Sequence, residues 1–234
     1  MLALIDIDGT LLLGAPAAHT AALATAMADV WDVAATPGDV TAIRPAGRTD
    51  REIARLVLRA HGVADERISD RMATWIARAV ELHADLEREA PPPAVAPGAA
   101  EGLALMREAG VALALLTGNL EPIARAKMAA AGLAGWFPPG GGAFGSDREH
   151  RDELVPVALA RHGRPAAAVV VGDTPRDITC ARAGAARCVA VTTGAYDEMA
   201  LAAADAVAPG LVGAAEVLAG WSGAPRPSAA TTRA

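Results

Sequence analysis

Apolar residues follow two different patterns along the 234-residue chain. In the first pattern they recur at a helical period, which predicts helices over residues 19–31, 50–59 and 65–89. Thr49 stands before the second of these as an N-cap, and acidic residues occupy the first turn. The three helices lie between Gly14 and a proline-rich linker at residues 91–93. The pattern therefore predicts a separate helical unit in this interval.

The second pattern alternates short apolar runs with helical segments. Strands are predicted at 2–7, 111–116, 167–171 and 188–191, and helices at 99–109, 121–131, 153–161 and 178–183. Such alternation is typical of right-handed crossover units and a parallel sheet with helices on both faces. We expect an α/β core domain formed by residues 1–14 and 94–221, with the helical unit 15–93 inserted into it. The segment 222–234 is predicted to be a disordered tail.

Composition and charge narrow the functional classes. The formal net charge is −6 and aromatic residues make up 3%, which argues against a nucleic-acid surface. No long uncharged apolar segment or signal peptide is evident, so a membrane protein is not expected. The two cysteines, Cys180 and Cys188, show no metal-binding or disulfide spacing, which favours a reduced, cytoplasmic setting. The oligomeric state stays open.

Two aspartates separated by one residue are the most informative feature of the chain. Asp6 and Asp8 stand at the end of the first apolar run, where open α/β sheets bind ligands. If the strand continues that far, the two side chains point the same way. Paired carboxylates repel each other unless a cation lies between them, and oxygen ligands suit Mg²⁺. The sequence therefore predicts a Mg²⁺ site here.

Two later strands end in polar loops of the same kind. Thr117, Gly118 and Asn119 follow the second strand, where a hydroxyl and helix-start N–H groups suit phosphate oxygens. Asp173 and Asp177 follow the third strand and add carboxylates to an oxygen cage. Either loop alone also fits an ordinary turn or helix cap.

Together, the order and spacing of these three loops resemble the haloacid dehalogenase superfamily of hydrolases, over residues 1–218. The helical unit after the first loop resembles the type 1 cap of phosphoglycolate-phosphatase-like members. The resemblance implies a Rossmann-like core with an inserted helical cap. It also implies a Mg²⁺-dependent hydrolase acting on a small phosphorylated metabolite.

The resemblance further implies a role for each acidic residue. Asp6 is the expected nucleophile, and it forms an aspartyl-phosphate. Asp8 is the expected general acid and then base, and its presence favours phosphoryl transfer over carbon–halogen cleavage. Asp6, Asp8 through its carbonyl, and Asp173 are expected to bind Mg²⁺, with Asp177 supporting the metal shell. Thr117 and its loop are expected to hold the phosphoryl group, and Asn119 to position that loop.

One element departs from the superfamily pattern. Members usually supply a lysine between the second and last motifs, but the single lysine here, Lys127, lies within the helix after Thr117. A surface or structural role is expected for Lys127. Arg151 is the first choice for the missing cation and Arg148 the second, because arginine keeps the charge with a different geometry. The alternative is that both arginines are solvated at a helix start.

Substrate choice is expected to come from the cap. Arg48 could pair with a carboxylate or second phosphate of the substrate, and a solvated helix-start arginine is an equal alternative. The five histidines show no ligand spacing and are expected at the surface or in helix packing. Cys180 is expected to be a small packing residue.

Three functions remain open from the sequence. The first is a phosphatase for a small phosphomonoester, with phosphoglycolate or a similar metabolite as substrate. The second is a phosphomutase on the same fold, which returns phosphate to a sugar. The third is a catalytically silent binding or regulatory protein that kept the fold after losing its lysine.

Overall fold

A computed structural model describes residues 1–14 and 17–222. In chain order, the strands are β1 Leu2–Ile5, β2 Ala112–Thr117, β3 Ala143–Phe144, β4 Ala168–Gly172, β5 Arg187–Val191 and β6 Ala206–Ala208. The helices are α1 Ala17–Trp31, α2 Pro37–Ala42, α3 Asp50–Ala60, α4 Asp65–Glu87, α5 Ala99–Glu108, α6 Glu121–Ala130, α7 Leu154–Arg161, α8 Pro175–Ala183, α9 Glu198–Leu201 and α10 Leu211–Ser222. The tail predicted for 222–234 lies, from residue 223 onward, outside the described residues.

The described strands form one parallel sheet in the order β3-β2-β1-β4-β5-β6. Strand β1 lies at its centre between β2 and β4. Alternate residues of β1 belong to different apolar clusters, because Ala3 and Ile5 pack on one face while Leu2 and Leu4 pack on the other. Helices α5, α6 and α10 cover the first face, and α7 and α8 the second. This confirms the predicted α/β fold with helices on both faces.

The helical cap, comprising α1 to α4, has its own apolar cluster. Trp31 and Trp75 are fully buried in it, and the Trp75 indole N–H donates to the Leu23 carbonyl at 3.3 Å. The cluster also includes Leu120 and Ile123 at the start of α6. The cap therefore packs directly on the helix that follows the second polar loop. The division at residues 14/15 and 93/94 stays a prediction.

The two chain segments that connect the sheet to the cap are hydrogen-bonded to each other. Leu13 N donates to Ala94 O at 2.8 Å, and Ala96 N donates to Leu11 O at 2.9 Å. Leu12 and Val95 form an isolated antiparallel bridge between these contacts. Since the entering and leaving segments are joined, the cap is anchored at the edge of the sheet where β1 ends.

Several elements differ from the sequence prediction. Strand β1 ends at Ile5, although Asp6 N still donates to Val171 O at 2.9 Å. The short elements α2, β3, β6 and α9 were not predicted, because two to six residues are too few to show a period. The N-cap predicted at Thr49 is confirmed, since its side chain accepts from Glu52 N at 3.1 Å.

Two helical glycines differ in the space around them, and this difference can be measured. A Cβ at Gly102 in α5 would lie 2.5 Å from the Leu211 carbonyl carbon, whereas a Cβ at Gly220 in α10 meets nothing within 4 Å. We expect Gly102→Ala to lower the free energy of unfolding by about 1–3 kcal/mol through overpacking. Gly220→Ala should raise it by about 0.5–1 kcal/mol, because alanine is the better helix former. Urea unfolding of both variants checks this, and equal shifts would contradict it.

Candidate active site

Because the strands are parallel, the polar loops that follow them meet at one edge of the sheet. Asp6 and Asp8 follow β1, Thr117 ends β2, and Asp173 follows β4. These side chains line a common cavity of about 540 Å³ between the sheet edge and the cap. The structure therefore brings together the three loops that the sequence singled out.

Three carboxylates converge on the sheet side of this cavity. Asp6, Asp173 and Asp177 each offer an oxygen, and these oxygens lie within 4.8 Å of one another. All three residues are buried. Burial raises the pKa of Asp6 to about 7 even though the Arg151 charge lowers it, and Asp177 and Asp8 raise it further. Burial, followed by the charge of Asp6, raises the pKa of Asp173 to about 8.

Arg151 supplies the cation of this cluster. Its guanidinium lies 3.2 Å from Asp6 Oδ1 and donates to Asp177 Oδ1. Burial lowers the pKa of Arg151, but Asp177 and Asp6 outweigh it and hold that pKa well above its ordinary value. Arg151 therefore occupies the place beside Asp6 that the sequence proposed for it.

Arg148, the second choice for this cation, does not reach the cluster. Its side chain is 53% exposed and pairs with Glu153 at 3.5 Å. The turn at residues 151–153 directs Arg151 inward, while Arg148 lies three residues earlier in an exposed loop. The assignment of Arg148 to the site was wrong for this reason.

Asp177 has a positional part in the cluster. Its Oδ2 accepts from Thr174 N at 3.0 Å and from Thr174 Oγ1 at 2.7 Å, and its Oδ1 accepts from Arg151. Thr174 and Asp177 form a capping box at the start of α8. Both carboxylate oxygens therefore have protein partners.

The donor set fits a divalent cation. Among the described residues, three buried carboxylates face one arginine, so the cluster holds more negative than positive charge. Hard oxygen ligands suit a small divalent ion. The backbone also approaches closely. A Cβ at Gly9 or Gly194 would overlap the Asp173 carboxylate, and Thr10 Oγ1 donates to Asp173 Oδ1 at 3.3 Å. Asp6 and Asp173 are the residues that would hold such an ion.

Asp8 has a different partner, which the sequence analysis missed. Lys127 Nζ donates to Asp8 Oδ1 at 2.9 Å and to Oδ2 at 2.8 Å. Asn119 Nδ2 also donates to Asp8 Oδ2, at 2.9 Å. Burial raises the pKa of Asp8, but Lys127 and His19 outweigh it and lower that pKa below its ordinary value.

Lys127 is not a surface residue, so the surface role in the sequence prediction was wrong, whereas the structural role it allowed is compatible with a buried position. It is 1% exposed, and its ammonium lies at the boundary between core and cap. A signal was present in the sequence, because Lys127 continues the buried stripe of α6 formed by Ile123, Ala124 and Met128. A lysine on an apolar stripe needs a buried partner, since an unpaired charge there is costly.

His19 from the cap joins the same network. Its Nδ1 lies 3.1 Å from Lys127 Nζ, and its Nε2 lies 3.1 Å from Asp50 Oδ2. Asp50 Oδ2 also accepts from Leu120 N at 2.7 Å. His19 is thus a buried member of the site, where the sequence had indicated only a surface or packing role. Cys180 is buried in helix packing, as predicted.

The loop at Thr117 and Gly118 is in close contact with the cap. Asp50 N donates to Gly118 O at 2.8 Å, and a Cβ at Gly118 would overlap the Arg48 carbonyl oxygen. Thr117 Oγ1 accepts from Asn119 N at 3.3 Å. Glycine at position 118 therefore permits the close approach of the cap over the site.

Arg48 lines the cavity, but its charge is already balanced. It donates to Glu52 one turn along α3, and its side chain is 20% exposed. The remaining cap lining is mostly apolar, with Leu23, Val40, Ile53, Pro45 and Ala46, and it also includes the exposed Arg44. The cap side of the cavity is therefore mainly apolar, with Arg44 and Arg48 as its arginines.

Comparisons with known proteins identify the family. The chain matches the haloacid dehalogenase-like hydrolase family over residues 3–182, and it belongs to that family. Enzymes of this family generally use a divalent metal. The Probable phosphatase IndB of Dickeya dadantii strain 3937 is 32% identical over 208 residues, covering 87% of this chain and 86% of that protein. The resemblance stated from the sequence is confirmed.

Solved structures share the fold at lower identity. CbbY from Rhodobacter sphaeroides, in complex with phosphate, is 22% identical with a TM-score of 0.63, covering 90% of this chain and 94% of that one. A beta-phosphoglucomutase-like protein from Bacteroides vulgatus is 19% identical with a TM-score of 0.63, covering 94% of this chain and 89% of that one.

None of the described helices is long and apolar enough to cross a membrane.

The two candidate arginines can be separated by their effect on stability. Arg151→Gln leaves Asp6 and Asp177 buried without a cation, and we expect the free energy of unfolding to fall by about 3–5 kcal/mol. The matched variant Arg148→Gln removes an exposed charge and should change it by less than about 0.5 kcal/mol. Urea unfolding without added metal measures both, and similar values for the two variants would contradict this assignment.

His83 makes the stability of the cap sensitive to acid. Burial, followed by the charges of His19 and Lys127, lowers its pKa from 6.5 to about 4. Between these values the unfolded chain binds a proton that the folded chain does not, so the free energy of unfolding falls as the pH is lowered. We expect His83→Gln to reduce the difference in stability between pH 7 and pH 5. Exposed His150→Gln should leave that difference unchanged, and equal behaviour of the two variants would refute the assignment.

Proposed function

We propose that this haloacid dehalogenase-like hydrolase is a Mg²⁺-dependent phosphatase that hydrolyses a small phosphomonoester through an aspartyl-phosphate on Asp6. The carrying observation is that Asp6 and Asp8 face one cavity while each contacts its own buried cation. The family supports hydrolase chemistry, and the phosphatase relative at 32% identity supports the enzyme class.

The residues divide the reaction between them. Asp6 attacks phosphorus and the bond from phosphorus to the ester oxygen breaks. Asp8 has to be protonated in the substrate complex, although Lys127 lowers its pKa in the free chain, and it gives this proton to the leaving alcohol. Asp8 then takes a proton from water, the water oxygen bonds to phosphorus, and the bond to Asp6 breaks to release phosphate. Thr117 at the end of β2 binds a phosphoryl oxygen. Most of the rate comes from alignment and charge neutralisation.

Asp6 and Asp173 would hold Mg²⁺, with the Asp8 carbonyl as a further ligand. A bound Mg²⁺ supplies charge neutralisation for the phosphoryl oxygens. The raised pKa values of Asp6 and Asp173 support this assignment, because they mark buried carboxylates that the arginine alone does not balance. The choice of Mg²⁺ over other divalent ions rests on the preference of this ion for hard oxygen ligands.

Phosphoglycolate is the first substrate to test, and the cavity allows larger esters. About 540 Å³ is within the range of pockets that hold drug-sized ligands, which is roughly 300–1,000 Å³. Arg48 is paired with Glu52 through one terminal nitrogen, so Glu52 competes with a substrate carboxylate for its charge. Phosphomonoesters of moderate size whose alcohol part carries no charge therefore belong in the same panel.

A phosphomutase is the second candidate, because the Bacteroides vulgatus protein has the same fold and the cap lies closely over the site. An isomerised sugar phosphate without release of phosphate would favour it. Arg151 beside Asp6 argues against the silent-binder alternative, which supposed a missing cation, and normal ligand binding without turnover would support that alternative.

Phosphate release from the panel, with and without Mg²⁺, tests the proposal. We expect Mg²⁺-dependent turnover that falls at least about a thousandfold in Asp6→Asn, because the nucleophile is removed. The matched control Asp70→Asn alters an exposed aspartate of α4 and should keep native turnover. A folded protein that binds Mg²⁺ but releases no phosphate from any ester would exclude the phosphatase.

A further inference from the structure

The single lysine of the chain is completely enclosed by polar partners at the junction of core and cap. Besides both oxygens of Asp8, Lys127 Nζ contacts Asn119 Oδ1 at 2.6 Å and His19 Nδ1 at 3.1 Å. An ammonium has three N–H donors, and these partners are three different side chains. Every proton of the buried ammonium therefore has an acceptor.

We propose that Lys127 is the positioning residue for Asp8, which it holds from behind so that the carboxylate faces the leaving-group oxygen of the substrate. This inference rests on the proposed phosphatase function. It gives Lys127 a role distinct from that of Arg151, which contacts Asp6 and Asp177. Lys127 acts through Asp8 and does not touch the substrate.

The exposure of the two groups supports this direction of contact. The Lys127 side chain is 1% exposed, whereas the Asp8 side chain is 26% exposed and lines the cavity. The lysine therefore binds the protein-facing side of the carboxylate and leaves its other side open. A general acid must lie within hydrogen-bond distance of the oxygen that it protonates, so the orientation of Asp8 affects the rate directly.

The side chains around Lys127 can all accept hydrogen bonds from its ammonium while they keep their other partners. Asn119 accepts from Lys127 through Oδ1 and donates to Asp8 through Nδ2 at 2.9 Å, so it braces the same pair. On the other side, His19 Nδ1 can accept from the ammonium only if Nε2 carries the proton that is donated to Asp50 Oδ2. The cap thus fixes the tautomer that the lysine requires.

The position of Lys127 in α6 shows that this contact is maintained at a cost. The neighbouring buried positions Ile123, Ala124 and Met128 are apolar, and burial of an ammonium is unfavourable unless its partners compensate for the lost hydration. A methionine at position 127 would continue that apolar stripe. Packing alone therefore does not account for a lysine at this position.

A comparison of substrates with different leaving groups distinguishes the loss of Asp8 positioning from general structural damage. Loss of a well-placed acid slows cleavage of alkyl phosphates, whose alcohols are poor leaving groups, much more than cleavage of 4-nitrophenyl phosphate. The ratio of kcat/KM for the two esters is independent of how much of the protein is folded. It reports the step in which Asp6 is phosphorylated and the alcohol departs, which is the step that uses Asp8 as acid.

We expect Lys127→Gln and Lys127→Met to lower the ratio of alkyl to aryl kcat/KM at least tenfold relative to the native chain, in Mg²⁺ and with the best alkyl ester of the panel. The control Arg55→Gln removes a cation that joins cap to core through Glu149 and should leave the ratio unchanged. In the Asp8→Asn background, Lys127→Gln should lower the ratio by less than twofold further, because its target is gone.

If Lys127→Gln lowers kcat/KM equally for both esters, or abolishes activity on both, the positioning role is overturned. The Mg²⁺-dependent activity of the native chain would still uphold the proposed function. A full additional effect of Lys127→Gln in the Asp8→Asn background would overturn the positioning role as well. Absence of Mg²⁺-dependent phosphate release from the native chain would instead reject the proposed function, and the positioning role with it.

Discussion

The arrangement of the site depends on the burial of like charges at one edge of a parallel sheet. Asp6, Asp173 and Asp177 have oxygens within 4.8 Å of one another, and Arg151 is the protein cation that contacts two of them. Such a cluster is unfavourable without positive charge, since burial and mutual repulsion raise the carboxylate pKa values. A divalent ion would relieve this imbalance, and it would lower the pKa of Asp6 and keep the carboxylate in the ionised form that a nucleophile needs. The sheet supplies the rigidity, because β1 is held between β2 and β4.

The chain uses two buried cations where its superfamily resemblance led us to look for one. Arg151 holds Asp6 together with Asp177, and Lys127 holds Asp8. The neighbouring aspartates therefore have opposite electrostatic environments: the pKa of Asp6 is raised mainly by burial, while Lys127 keeps that of Asp8 low.

The sequence predicted the fold and most of the site because their signals are local. The apolar run before Asp6, the N-cap at Thr49 and the alternation of strands and helices are each visible within a short window. The contact between Lys127 and Asp8 joins residues 119 positions apart, so the apolar stripe of α6 indicates that Lys127 needs a buried partner but not which residue supplies it. Strand β3 has two residues and β6 has three, which is too short for a period to appear. The burial of Lys127 is indicated by the apolar stripe of α6 and not by the interval between the second and last motifs, where the superfamily usually has its lysine.

The cap contacts the pair formed by Lys127 and Asp8 through side chains of its own helices. His19 and Asp50 belong to cap helices, yet they contact Lys127 and the backbone N–H of Leu120 in the core. Gly118 lies against the backbone of Arg48, so cap and phosphate loop have no space between them at this point. Movement of the cap away from the sheet would remove the His19 contact and leave the two Asp8 oxygens and Asn119 Oδ1 as the acceptors of the ammonium. The lysine that holds Asp8 in the core is therefore also the side chain through which the cap contacts this carboxylate.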